Sequence, residues 1–225
     1  MKFYYNPLSQ PSRALYIFIK INNIPAEIIN VALQNGEHLT DEFKEINRFQ
    51  KLPCIVDDDG WKLAESVAIF RYLITQYPQI STHWYPSNPR TRASIDEYLE
   101  WQHNNTRLGC AIYFQIMKKI GPFANQPDDV FLHIFKFLME SSLETFENIW
   151  LKNKQFLATD DEISFADILA ACEIEQPRMT GYDVFDGRPK LKEWYERVKA
   201  ATKDYYDEAH AVVNKIIAKS QMAKL

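Results

Sequence analysis

With 225 residues, 46% of them hydrophobic, and a formal net charge of −4, the chain is long enough for one large domain or two smaller ones. Its slight acidity, with no basic stripe and no RNA-binding motif, argues against nucleic acid as a partner, and its longest apolar run is too short to cross a membrane. Three dispersed cysteines (Cys54, Cys110, Cys172), five scattered histidines and only six glycines leave no CxxC pair, no metal-ligand spacing and no phosphate-cradling loop.

The odd, unclustered thiol count suits a reducing, cytoplasmic setting, and Met1 to Asn6 lacks the apolar stretch of a secretory leader. Lys2 to Tyr5, short and aromatic, reads as a buried strand. Ser9-Gln10-Pro11-Ser12-Arg13 follows, and Ala14 to Ile21 is then a run of helix formers and aliphatics. Pro11 suits the first turn of that helix, because the N–H it lacks is unused there. Ser9 therefore stands before a helix N-terminus, where free N–H groups and the positive dipole end favour an anion. A hydroxyl there either caps the helix or stabilises a developing anion, and Ser9 alone does not separate the two. Tyr5 and Tyr4 are the competing hydroxyls, although aromatics in strands serve packing first.

His38 precedes Leu39-Thr40-Asp41 and suits either a helix start or a ligand. Lys51-Leu52-Pro53 leads into the β-type run Cys54 to Val56. Asp57 to Gly60 reads as a hairpin turn, and Trp61 to Leu63 returns as a strand. Glu65-Ser66 opens a helix with Val67, Phe70, Leu73 and Ile74 at helical spacing. Pro78, Pro86 and Pro89 punctuate the chain, and everything beyond reads helical. One long helix is expected from about Ile95 to Ile120, closed by Gly121-Pro122; Asn104-Asn105-Thr106 inside it matches a glycosylation acceptor by chance. Val130, Ile134, Phe137 and Leu138 mark another helix. Ser164 with Asp167 forms a capping box, flanked by the staple pair Ile163 and Ile168. Leu191 to Val198 and Val212 to Ile217 give two last apolar faces. The pattern divides the chain into an α/β unit over 1–79, a linker over 80–89 and an all-α unit over 90–225.

This succession resembles the cytosolic glutathione S-transferases and, among them, the theta class. The resemblance rests on SQPSRALYIF at 9–18, KLP at 51–53, ES at 65–66 and HWYPSNPRTRASIDEYLEW at 83–101, and it extends over essentially the whole chain. It implies a thioredoxin-like α/β domain followed by an all-α domain, assembled as a homodimer. It also implies transfer of glutathione, a co-substrate rather than a cofactor, to hydrophobic electrophiles: alkyl and aryl halides, sulfate esters and organic hydroperoxides.

Carried onto this sequence, the resemblance implies that Ser9 hydrogen-bonds the glutathione sulfur. Leu52, before a cis Pro53, would pair its backbone with the cysteinyl unit. Glu65 and Ser66 would hold the γ-glutamyl amine and carboxylate, His38 and Lys51 the glycyl carboxylate, and Arg107 would line the electrophile pocket. Members of the family often place an acid on the fourth helix that reaches the glutathione of the neighbouring subunit; here Asn104 keeps the hydrogen bonding without the charge. Theta-like chains also often continue into a lid, whereas the segment after Ile217 is short and polar, so a more open electrophile site is expected.

Physical chemistry supports these roles on its own. A carboxylate belongs at a helix N-terminus, an ammonium beside an acid, and an extended peptide against a strand edge. A free thiol has a pKa near 8.5, and moving it down by about two units takes about 1.36 kcal/mol per unit. One charge-assisted hydrogen bond, about 1.5–3 kcal/mol, with about 0.3–1 kcal/mol from the dipole, is sufficient. The alternative is a ligand-binding or structural protein on the same fold with negligible turnover. A thiol–disulfide oxidoreductase would need a cysteine where Ser9 stands.

Overall fold

The computed structural model describes residues 1–124 and 129–222; of the helical unit expected over 90–225, positions 125–128 and 223–225 lie outside the described residues. The first part is built from β1 (Lys2–Tyr5), α1 (Gln10–Ile21), β2 (Glu27–Asn30), α2 (Asp41–Ile46), β3 (Cys54–Val56), β4 (Lys62–Ala64) and α3 (Ser66–Gln76). The strands form one sheet in the order β2-β1-β3-β4. β1 runs parallel to β2, with Phe3 opposite Ile28, and antiparallel to β3, with Phe3 opposite Ile55. This mixed sheet with its helices is the thioredoxin-like arrangement.

The hairpin turn expected at 57–60 forms: the Asp57 N–H donates to the Trp61 carbonyl at 2.7 Å, and Gly60 takes φ +87°, a conformation that favours glycine. β2 was not anticipated. It is only four residues long, and its Ile28-Ile29 pair lies between an exposed Glu27 and an exposed Asn30, too little for a period-2 signal.

The second part is helical: α4 (Pro89–Trp101), α5 (Thr106–Lys118), α6 (Asp129–Thr145, running into a wider turn over Phe146–Trp150), α7 (Phe165–Arg178) and α8 (Pro189–Met222, broken at Lys203). The single helix expected from Ile95 to Ile120 is a correction: it is two helices. A 3₁₀ turn over Gln102–Asn104 separates them. The Asn105 amide group donates to the Trp101 carbonyl at 2.7 Å, occupying the acceptor that a continuing helix would need, and the Asn105 N–H turns to Gln102 instead. The Asn104-Asn105-Thr106 sequence thus lies at a helix break. α5 also ends before Gly121-Pro122, where Lys119 adopts the left-handed conformation.

Two features lock the parts together. Phe165 on α7 stacks on Phe70 of α3 at 4.0 Å between ring centroids, with Phe18 of α1 set edge-on to both. Arg13, fully buried on α1, donates to the Pro7 and Cys172 carbonyls at 2.7 Å and to Gln176 Oε1 at 3.3 Å. The capping box at Ser164 and Asp167 is present. Asp167 also accepts from the Leu157 N–H and from Trp194 Nε1, at 2.8 and 2.9 Å, so it ties the start of α7 to a loop and to α8. All three cysteines are free and buried.

Candidate active site

Three helix N-termini converge on one pocket. Pro11 brings the first turn of α1, Glu65 and Ser66 bring the start of α3, and Arg107 brings the first turn of α5. None of these helices has a side-chain cap or an acidic residue in its first turn. Their free N–H groups and positive dipole ends are therefore unspent, a setting that favours anions. The remaining wall is Asn47, Lys51, Leu52, Pro53 and Ala64, from the end of α2 through the β3–β4 hairpin. The Leu52–Pro53 peptide bond is cis.

Ser9 joins this pocket through Leu52. It precedes α1 in extended conformation and makes no capping hydrogen bond; its hydroxyl donates to the Leu52 carbonyl at 3.3 Å. The loop that presents it is held by Asn6, whose amide group donates to the Val31 carbonyl at 2.8 Å and whose Oδ1 accepts from the Leu8 N–H at 2.9 Å. The Ser9 N–H returns to the Asn6 carbonyl. Tyr5, the competing hydroxyl, packs on Tyr16 at 5.0 Å between centroids. Burial pushes its phenol up to about 12, so it stays a neutral hydroxyl at neutral pH.

Of the residues singled out from sequence, Lys51, Leu52, Pro53, Glu65, Ser66 and Arg107 line the pocket together. Glu65 sits at φ +71°, ψ 115°, a sparsely populated conformation for a residue with a side chain. Ser9, His38 and Asn104 are not among the lining residues; Ser9 meets them through its hydrogen bond to Leu52. His38 lies in a 3₁₀ turn with its Nδ1 enclosed and unpartnered, and burial moves its titration down. Asn104 is exposed on the turn before α5.

Two neighbours escaped the sequence reading. Asn47 is buried at the end of α2; its amide group donates to the Lys51 carbonyl at 2.6 Å and its Oδ1 accepts from the Phe49 N–H at 3.0 Å. It thereby fixes the turn that carries Lys51 and Leu52, and an Asn at a helix end before a short polar stretch was the available signal. His103 feels the charges of Arg107, Glu100 and Glu65, and burial and Arg107 lower its pKa.

The chain matches known proteins over most of its length. Residues 1–75 match the glutathione S-transferase N-terminal domain family and residues 138–201 the glutathione S-transferase C-terminal domain family. Glutathione S-transferase theta-1 of Homo sapiens is 41% identical over 219 residues, covering 96% of this chain and 89% of that protein. Human glutathione transferase theta-2, solved in complex with glutathione, is 36% identical with a TM-score of 0.89 over 100% of this chain and 91% of that one. A human theta-class enzyme solved with the glutathione conjugate of 1-menaphthyl sulfate has the same identity, TM-score and coverage. The chain belongs to the glutathione S-transferase family, in its theta class. It is a glutathione transferase, with glutathione as its co-substrate. Among the described residues no helix is long and apolar enough to cross a membrane.

Proposed function

We propose that Ser9 is the hydroxyl that holds the glutathione sulfur as thiolate, and that Arg107 stabilises the anion leaving the electrophile. The observation that carries this reading is the convergence of three uncapped helix N-termini, with Arg107 in the pocket wall and Ser9 hydrogen-bonded to the lining residue Leu52. Glutathione carries two carboxylates and an ammonium. The α3 terminus at Ser66 receives one carboxylate and Glu65 the ammonium; Lys51, aided by His38, receives the second carboxylate; Leu52 pairs with the peptide backbone beside Pro53. Residues 1–79 thus bind the tripeptide, 80–89 link, and 90–225 supply the electrophile site.

The electrophiles are hydrophobic molecules with anionic leaving groups: alkyl and aryl halides, sulfate esters and hydroperoxides. A relative bound to the conjugate of a sulfate ester supports this class. The working unit is a homodimer in which Asn104 hydrogen-bonds toward the glutathione held by the second copy; its exposure supports that role. The dispersed free thiols support a cytoplasmic setting.

The deciding experiment titrates the thiolate absorbance of the enzyme–glutathione complex in wild type, Ser9→Ala and Tyr5→Phe. Ser9→Ala raises the bound thiol pKa by about one to two units, and Tyr5→Phe leaves it in place. The opposite pattern would move the catalytic hydroxyl to Tyr5.

A further inference from the structure

Glu173, in the middle of α7, is wholly enclosed, and neither of its carboxylate oxygens has a hydrogen-bond partner. An ionised carboxylate buried without partners is strongly disfavoured. The group is therefore held as the neutral acid: burial pushes it up to about 8, and Arg107 pulls against that shift. Tyr98 faces it from α4, Arg107 and Cys110 from α5, and Cys172 from its own helix. The phenol and both thiols are held neutral by burial. From α1, Arg13 is turned to the Cys172 carbonyl and Gln176, and from the end of α7, Arg178 is turned to Glu175. Arg107 is thus the charged group that answers Glu173 among the described residues. Arg107 also lines the pocket, where its guanidinium is held by no hydrogen bond or ion pair among the described residues. It both lines the pocket and supplies the positive charge that Glu173 feels.

We propose that Glu173 is a positioning residue for the leaving-group end of the reaction: as the neutral acid it leaves Arg107 its full charge for the departing anion, and as carboxylate it draws that charge back toward the core. This rests on the reading of Arg107 given above. With a sulfate ester, the thiolate sulfur forms the new C–S bond while the C–O bond breaks and sulfate departs with its electron pair. Arg107 then faces a whole additional negative charge. Glu173 exchanges no proton with the reactants; it loses its proton to solvent as the pH rises.

The test compares an arylmethyl sulfate with an α,β-unsaturated ketone, which adds the thiol without expelling an anion. The full chain is used as wild type, Glu173→Gln, Arg107→Ala and the double variant, between pH 6 and 9. At pH 6 wild type and Glu173→Gln turn over the sulfate ester alike, since both are neutral at 173. By pH 9 wild-type kcat falls below that of Glu173→Gln by about three- to tenfold, with KM for glutathione unmoved and no divergence on the ketone. In the Arg107→Ala background the divergence disappears. An equal effect of Glu173→Gln with and without Arg107, or on both electrophiles, overturns the proposal. Should Glu173→Gln fold poorly, wild type against Arg107→Ala still decides, because the alkaline fall on the sulfate ester must vanish with Arg107. If Arg107→Ala keeps wild-type turnover of the sulfate ester at pH 6, it is the reading of Arg107 that fails.

Discussion

The Ser9 hydroxyl donates to the Leu52 carbonyl across 3.3 Å, joining the approach to α1 with the residue before Pro53. At that length the bond lies beyond the usual range for O–H donors, so the hydroxyl can turn to a sulfur docked against Leu52 at little cost. Ser9→Ala should therefore cost less than about 1 kcal/mol of stability. Its glutathione affinity should stay within about threefold of wild type, because the tripeptide is held elsewhere. Turnover should drop with the thiolate fraction. Urea melts and calorimetric glutathione titrations separate these effects; a large loss of stability would make Ser9 a scaffold residue instead.

Asn47→Ala should act at a distance from the sulfur. The Asn47 amide spans the Lys51 carbonyl and the Phe49 N–H, so its removal frees the turn that presents Lys51 and Leu52. Leaving buried backbone groups unpaired costs about 1–3 kcal/mol. The expected result is a lower Tm together with a raised KM for glutathione, and thiol pKa unchanged once glutathione saturates the site. A Tm loss with normal KM would confine Asn47 to folding.

Glu65 combines a charge with a strained backbone at φ +71°. Glu65→Gln should leave stability alone and weaken glutathione binding about tenfold, the loss of one charge-assisted hydrogen bond. Glu65→Gly should weaken binding at least as much yet be no less stable. Relief of about 1–3 kcal/mol of strain offsets the added chain entropy of glycine, about 0.5–1 kcal/mol. Equal affinities for Glu65→Gln and wild type would take the ammonium away from Glu65.

Glu173 also predicts a pH dependence of stability. Its folded pKa, about 8, is raised above the ordinary value of 4.5. The folded chain therefore binds more protons than the unfolded chain between those values. The stability this gives is fully present below pH 4.5 and is lost as the pH rises toward 8. Wild type minus Glu173→Gln isolates that contribution from other groups: the Tm difference should move against wild type between pH 5 and 8, by about 2–4 °C per kcal/mol for a chain of this size. A pH-independent difference would mean that Glu173 titrates normally.

What sequence made legible follows from where the physics is local. The α1 start at Pro11, the hairpin at Gly60 and the Ser164–Asp167 box each depend on residues a few positions apart, and each could be read directly. The pocket residues Lys51 to Pro53, Glu65 and Ser66 came as short strings, and the fold brings them to one wall. What stayed hidden depends on partners far along the chain. Arg13 looked like part of a helix start, yet its partners lie at Cys172 and Gln176. Nothing local to Glu173 sets it apart from other acids in a helix; its enclosure comes from α4 and α5, which pack on α7. The break before α5 turned on a choice no propensity fixes: whether Asn105 gives the Trp101 carbonyl its backbone N–H or its side chain.

The Arg13 contacts have a consequence for recombination between relatives. A crossover in the proline-rich stretch near residue 80 would appear to exchange self-contained halves. It would in fact pair one parent's guanidinium at position 13 with another parent's surroundings at 172 and 176. Gln176 Oε1 is the one side-chain acceptor of the three, and a buried donor that loses its partner costs about 1–3 kcal/mol. The heritable unit of exchange is therefore discontinuous, comprising the first helix and the seventh, and chimeras that keep these two from one parent should be more stable than those cut only at the linker.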